Sequence, residues 1–337
     1  MPAPRPRALK DLAAASVLAA AAIVCVRLAA AGQLTERPLA VALTSPAIGY
    51  FTRPTTDLVS QLNRRLDDGT ARLAFDERSG YLASVLDALH VPADSQMLVI
   101  SKTGVQALYT EPSNPRAILF NDAVAVGYIR GAPLLELAVE DPQQGVLFYT
   151  LEQKRQEQPR FERPSACVRC HQVYSTLHVP GMLARSSFVA RDGLPLGQFG
   201  AYDIDDRTPF RRRWGGWYVT GTHGSMRHMG NAIVVGAASG DHEDAITDRT
   251  LNRTSLDGLF DAQGYPSAHS DIAALMVFAH QGHLTNLITR VGWEARLAMP
   301  DGGDAARGPL RDAIDELVDY ALFVGEEPLA APVRGTS

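Results

Sequence analysis

The segment Cys167-Val168-Arg169-Cys170-His171 combines residue types and spacing that can do chemistry. It reads C-x-x-C-H, the attachment sequence for a c-type haem. Two thiols on one helical turn can each form a thioether to a haem vinyl group, and the adjacent imidazole can reach the iron from the proximal side. With three Cys and nine His in 337 residues, chance would produce the pattern in about one such chain per thousand. A redox dithiol would want C-x-x-C at a helix start in a βαβ setting, whereas here the motif follows the polar stretch from Glu152 to Pro164. A structural zinc site would want a second ligand pair, and Cys25 is the single other cysteine. The expected cofactor is one covalent haem c, held by Cys167, Cys170 and His171.

What faces His171 across the iron decides whether the centre is closed or open. The stretch Trp214 to Asn231, WGGWYVTGTHGSMRHMGN, holds two of the three Trp, two of the nine His and five Gly. Such glycines let a backbone approach a flat macrocycle closely. His228 is the first candidate for the distal ligand, followed by Met229, His223 and His280, and Trp217 is a candidate haem contact. His178 and Met182 follow the motif closely, on what reads as the proximal side. The basic residues Arg207, Arg211, Arg212, Arg213 and Arg227 can pair with anionic propionates, with Arg211 taken as the representative contact; a solvated helix face is the alternative. Glu162 and Arg163 read as surface residues.

Residues 1–31 carry the pattern of an export signal: Arg5, Arg7 and Lys10, an apolar run from Leu12 to Val26, then small residues up to Ala31. The run is short for a membrane span, and Arg27 interrupts it. A cleaved signal is the first reading and a retained inner-membrane anchor the second. Both give a periplasmic protein. Removing 1–31 moves the formal charge from −5 to −8, which disfavours nucleic acid and anionic membrane surfaces as partners. The two motif cysteines then leave none for a structural disulfide.

The elements that must position the motif are read from periodicity. After a lead-in at 32–56, four-residue spacing of Leu58, Leu62 and Leu66 predicts a helix from Asp57, and Gly80 to Leu89 predicts a second. The pattern then shortens. Met97–Ile100, Ala117–Phe120, Val124–Ile129, Leu134–Val139 and Val146–Leu151 read as strands, the last two joined by the hairpin signal Asp141 to Gly145. Leu183–Ala190 and Gln198–Ile204 read as two more strands. Thr208-Pro209 reads as the cap of a short helix, Ser270 as the cap of a long helix over 271–299, and Pro309–Val324 as a last helix. The expected fold is α+β, with central antiparallel strands and helices at both ends, and not a minimal all-α cytochrome c. A single haem-binding domain spans 57–329, followed by a flexible tail at 330–337.

The motif at 167–171, the block at 214–231 and the helix DIAALMVFAHQGHLTNLITR at 271–290 together resemble a group of exported bacterial proteins described as cytochrome c domain-containing. The resemblance extends from about Pro46 to Leu329. It implies covalent haem and an electron-transfer role, and it supplies no distal ligand or substrate. The leading functional expectation is therefore an exported monohaem cytochrome serving a redox partner protein. The alternatives are a haem enzyme with an open distal side acting on peroxide or a nitrogen oxide, with His223 or His228 as acid/base, and a PAS-like haem sensor.

Overall fold

Five strands that follow one another along the chain also lie side by side, each antiparallel to the next. In the computed structural model, which describes residues 43–236, 242–298 and 304–337, these are β1 (Met97–Val99), β2 (Arg116–Phe120), β3 (Val124–Tyr128), β4 (Leu134–Asp141) and β5 (Gly145–Glu152). The β4–β5 hairpin closes where expected. Asp141 Oδ1 accepts the amide hydrogens of Gln143 and Gln144 at 2.9 and 3.0 Å, and Gly145 takes φ +83°, a conformation that favours glycine. The expected export segment 1–31 lies outside the described residues. No helix among the described residues is long and apolar enough to cross a membrane.

Strand alternation gives the sheet two unlike faces. On one, Leu98, Leu119, Val126, Leu135, Leu137, Val139, Leu147 and Leu151 are all buried. The helices α1 (Leu58–Asp67) and α2 (Leu82–Ala88) belong to this side. Asp57, the N-cap of α1, accepts the hydroxyl of Tyr149 at 2.9 Å, and Asn121, beyond β2, donates to the carbonyl of Leu89 that ends α2. On the other face the register aligns Ile118, Gly127, Glu136 and Thr150 in one row and Phe120, Ala125, Ala138 and Phe148 in the next. Here β4 alternates strictly, with Leu134, Glu136, Ala138 and Glu140 half-buried and their neighbours buried.

The second face is covered at one end by α4 (Ile272–Ala298), named after the short helix α3 (Val168–His171) that carries the motif. Phe278 of α4 meets Phe120 edge to face at 5.2 Å. Met97, Val99, Phe120 and Ala125 share an apolar cluster with Leu275, Phe278, Trp214 and Trp217. The stretch around Trp217 runs beside the outer edge of β1: Val99 bridges Trp217, and the amide of Tyr218 donates to the carbonyl of Leu98 at 2.9 Å. The remaining strands are short: β6 (Arg185–Ser187) pairs with β8 (Ala201–Asp203), and β7 (Val189–Ala190) runs parallel to β9 (Ile233–Val234). A last helix, α5 (Asp304–Ala321), packs along α4. The result is a mixed α and β fold around an antiparallel sheet.

Several local expectations change. The compact unit runs from Ala47 to Ser337, so it takes in part of the expected lead-in; Ile48 and Tyr50 are core residues at 0% and 1% exposure. Ser270 does not cap α4. Its hydroxyl is spent in the core, accepting from the Leu98 amide and donating to the Tyr218 carbonyl, while Asp271 Oδ1 accepts the amides of Ala273 and Ala274. Thr208 likewise turns away from the turn at Phe210–Arg212 and bonds Asp205. The segment 330–337, expected to be a flexible tail, is tied down: Arg334 pairs with Thr222, and the amides of Thr336 and Ser337 donate to Asp271.

Candidate functional site

The motif occupies one turn. A 3-10 segment, Ser165–Cys167, leads directly into α3, which places both sulfurs and the imidazole on a single short coil. Both cysteines are free thiols, Cys167 half-buried and Cys170 exposed. Burial pushes the Cys167 thiol up from its ordinary value, and the nearby Glu136 acts in the same direction. A nucleophilic dithiol is usually served by the opposite shift. No group of three or more His, Cys, Asp or Glu that could hold a metal ion occurs among the described residues.

His171 is held from two sides. Its Nδ1–H donates to the carbonyl of Gly181 at 3.0 Å, and its ring lies against Phe148 of β5, centroids 4.5 Å apart. A carbonyl can only accept, so Nδ1 carries the hydrogen and Nε2 presents a lone pair. This is the tautomer that metal-ligating histidines adopt, fixed by the bond at the other ring nitrogen. Burial also keeps the imidazole below its ordinary pKa.

The chain before and after the motif is anchored to rigid elements. Upstream, Glu162 pairs with Thr150 through the backbone. Arg163, expected at the surface, is half-buried: its guanidinium lies 4.7 Å from the Tyr50 ring centre and donates to the Tyr50 carbonyl at 2.6 Å. Downstream, Asn286 of α4 clamps the backbone of Met182, accepting from its N–H at 3.0 Å and donating to its carbonyl at 2.7 Å. Met182 packs against the apolar cluster over the sheet. His178 takes a left-handed φ of +62°, with its Nδ1 buried and unpartnered.

Next to the motif, the sheet face is built of small and polar groups. Gly127 and Ala138 leave the sheet centre half-buried, with Ile118, Arg116 and Glu136 around them. Arg116 and Glu136 approach to 3.6 Å, and both act electrostatically on His171. Burial also raises the pKa of Glu140, farther along the same face. These half-buried residues lie near two free thiols and an imidazole whose Nε2 is open, and small apolar groups beside an arginine and a glutamate are the kind of surface an apolar macrocycle with charged edges would take. Trp217, one expected contact, lies on this same face through its bridge to Val99 and is 5% exposed.

The distal candidates each have other partners. His223 and His228 are buried together, ring centroids 4.7 Å apart, against Phe210 and Trp214. His228 Nδ1 accepts the Gly230 amide at 3.0 Å, and His223 Nε2 accepts the Asn252 amide at 3.1 Å. Each neutral ring therefore carries its hydrogen on the other nitrogen, the one left to face a metal. Trp214 beside them holds a φ of +66°, a strained conformation for a bulky residue. The Met229 sulfur accepts from the Ser186 hydroxyl at 3.6 Å within a separate apolar cluster. His280 faces α5, stacked on Tyr320 and Phe323, with Nδ1 3.4 Å from Asp206.

The members of the basic cluster likewise have other partners or are exposed. Arg213 is buried and donates to the carbonyls of Thr208 and Asp206, Arg207 pairs with Glu316 of α5, Arg227 donates to the Ile246 carbonyl, and Arg211 and Arg212 are exposed. The residues that sequence reasoning missed are Phe148, Arg116, Glu136 and the Gly181 carbonyl. Glu136 and Glu140 did leave a signal, as charges four residues apart on one face of a largely apolar strand. A concavity lined by Ala190, Arg191, Asp192, Val234, Val235 and Gly236 shares no residue with the motif.

No protein-family model matches the chain, and neither the curated proteins nor the solved structures give a match.

Proposed function

We propose that the chain is an exported monohaem c-type cytochrome, periplasmic and with an N-terminal signal or anchor, that passes single electrons to a redox partner protein. Cys167 and Cys170 would carry the haem and His171 would be the proximal ligand. The carrying observation is the bond from His171 Nδ1–H to the Gly181 carbonyl, which leaves Nε2 available beside two free thiols on one helical turn. Bound there, the haem supplies a one-electron iron couple. The protein's part is to fix the imidazole through Gly181 and Phe148, bury one face of the site, and leave the Cys170 attachment point open to solvent.

The test is pigment retained by denatured protein. Covalent haem should survive acid–acetone extraction of the full chain and be lost from the Cys167→Ser/Cys170→Ser double variant. A colourless wild-type chain, expressed with a haem-attachment system, would sink the reading.

A second reading has support of its own. With His228, His223, Met229 and His280 each held by other partners, a haem at this site would have an open sixth position suited to binding a small ligand. Optical and EPR spectra separate the two. Low-spin ferric iron, converted to high-spin by His228→Ala or Met229→Ala, supports the closed electron-transfer centre. High-spin iron that responds to cyanide or nitric oxide supports the open one.

A further inference from the structure

We propose that Arg116 is the anchor for a haem propionate, in place of the basic cluster around Arg211; the inference rests on the haem reading above. Arg116 begins β2 and lies on the sheet face that neighbours the motif, two residues along the strand from Ile118, the partner of Gly127. Its side chain is 14% exposed, and its charge is felt at His171. Part of its donor capacity is uncommitted. Nη2 donates to the Thr103 carbonyl at 2.8 Å and stands 3.6 Å from Glu136 Oε2, outside hydrogen-bond range, while Nε is buried with no partner.

An unpartnered guanidinium N–H costs free energy unless an acceptor comes to it. Guanidinium geometry matches a carboxylate in a two-pronged pair. Glu136, the carboxylate already near, is aligned on Nη2 and leaves Nε unserved. A second carboxylate, carried on the edge of a macrocycle held by the motif, would supply the missing acceptor. The loop beyond β1 holds the arginine in place for it. Gly104, at φ +81°, brings the backbone so close that a Cβ there would lie 2.6 Å from Nη2. The five alternatives from the sequence are committed or exposed: Arg213 and Arg227 to backbone carbonyls, Arg207 to Glu316, and Arg211 and Arg212 to solvent.

The test uses the full-chain holoprotein and two readouts, the midpoint potential and the propionate bending band in resonance Raman spectra. Arg116→Gln should lower the midpoint, because an uncompensated propionate charge favours ferric iron; a tenfold change in the reduction equilibrium is about 59 mV for one electron. The propionate band should move in the same variant and return part of the way in Arg116→Lys. Glu136→Gln, which removes the competing carboxylate, should raise the midpoint. An unmoved propionate band in Arg116→Gln overturns the assignment. Should that variant not fold, an unmoved midpoint in Glu136→Gln overturns it instead. A wild-type chain without covalent haem fails the parent reading, whereas a haem-loaded chain indifferent to Arg116 fails this one alone.

Discussion

The ring of His171 and the carbonyl of Gly181 are joined at 3.0 Å across a loop that folds back on the motif. The loop is held from outside, by Asn286 gripping the N–H and carbonyl of Met182. The imidazole is thus aimed by a helix that begins a hundred residues further along the chain.

Asn286→Ala removes both bonds and leaves two backbone groups unserved. We expect a loss of about 2–3 kcal/mol, from roughly 1 kcal/mol per bond plus the desolvation of what remains, measured by urea unfolding. Gly181→Ala should be at least as damaging, because its Cβ would fall 2.0 Å from the Asn286 oxygen. Wild-type stability in both variants would show that the loop does not depend on α4.

Acid should weaken the fold through the His pair. Burial, with the charge of His223 adding to it, lowers the His228 pKa from 6.5 to about 3, and burial lowers His223 in the same direction. Between those values the unfolded chain takes up a proton that the folded chain refuses. Stability is therefore complete above about pH 6.5 and falls as the pH drops toward 3. Each tenfold difference in proton affinity corresponds to about 1.4 kcal/mol. His228→Phe should flatten this dependence in denaturant titrations at a series of pH values, and a slope identical to wild type would refute the assignment.

Deleting residues 336–337 should cost about 2–3 kcal/mol by removing charge-assisted bonds to Asp271. Burial alone would raise that carboxyl, but the amides of Ser337, Thr336 and Ala273 outweigh it and hold the pKa low. This contribution is present above the ordinary carboxylate range and is lost as pH falls through the lowered value. The truncated chain should therefore be less stable near neutrality and converge on wild type in strong acid. A full-strength difference at all pH values would contradict the role given to Asp271.

Arg163→Ala should cost about 1–3 kcal/mol, through the lost contact with Tyr50 and the unserved Tyr50 carbonyl. It should also loosen the chain just before Cys167, read as faster hydrogen exchange there than at β5. Equal protection in variant and wild type would remove Arg163 as the upstream anchor.

The sheet was legible because its strands are short, bounded by turn residues and consecutive in space, so local pattern and tertiary structure agree. Helix starts were less so. Ser270 and Asp271 are both good caps, and only the core decides that the serine hydroxyl is needed at Leu98 and Tyr218. Arg163 read as a surface residue because a charge gives no sign of the aromatic ring it will cover. The motif itself was plain, but its surroundings were not: Arg116, Glu136 and Phe148 come from three different strands, and pairing register alone brings them onto one face. The tautomers of His223 and His228 depend on backbone amides of Asn252 and Gly230, which no side-chain pattern encodes.

The uninterrupted meander from β1 to β5 also bears on the order of assembly. All its pairings are between neighbours, ending at Glu152 before the motif begins, and such local topology closes quickly. A chain emerging from its N-terminus can thus complete the platform first, present Cys167 and Cys170 while α4 is still to come, and seal the far end last. Pulse-labelled exchange should find β2–β5 amides protected ahead of those in α4. The interval between those two events is a window of access for whatever chemistry the thiols undergo.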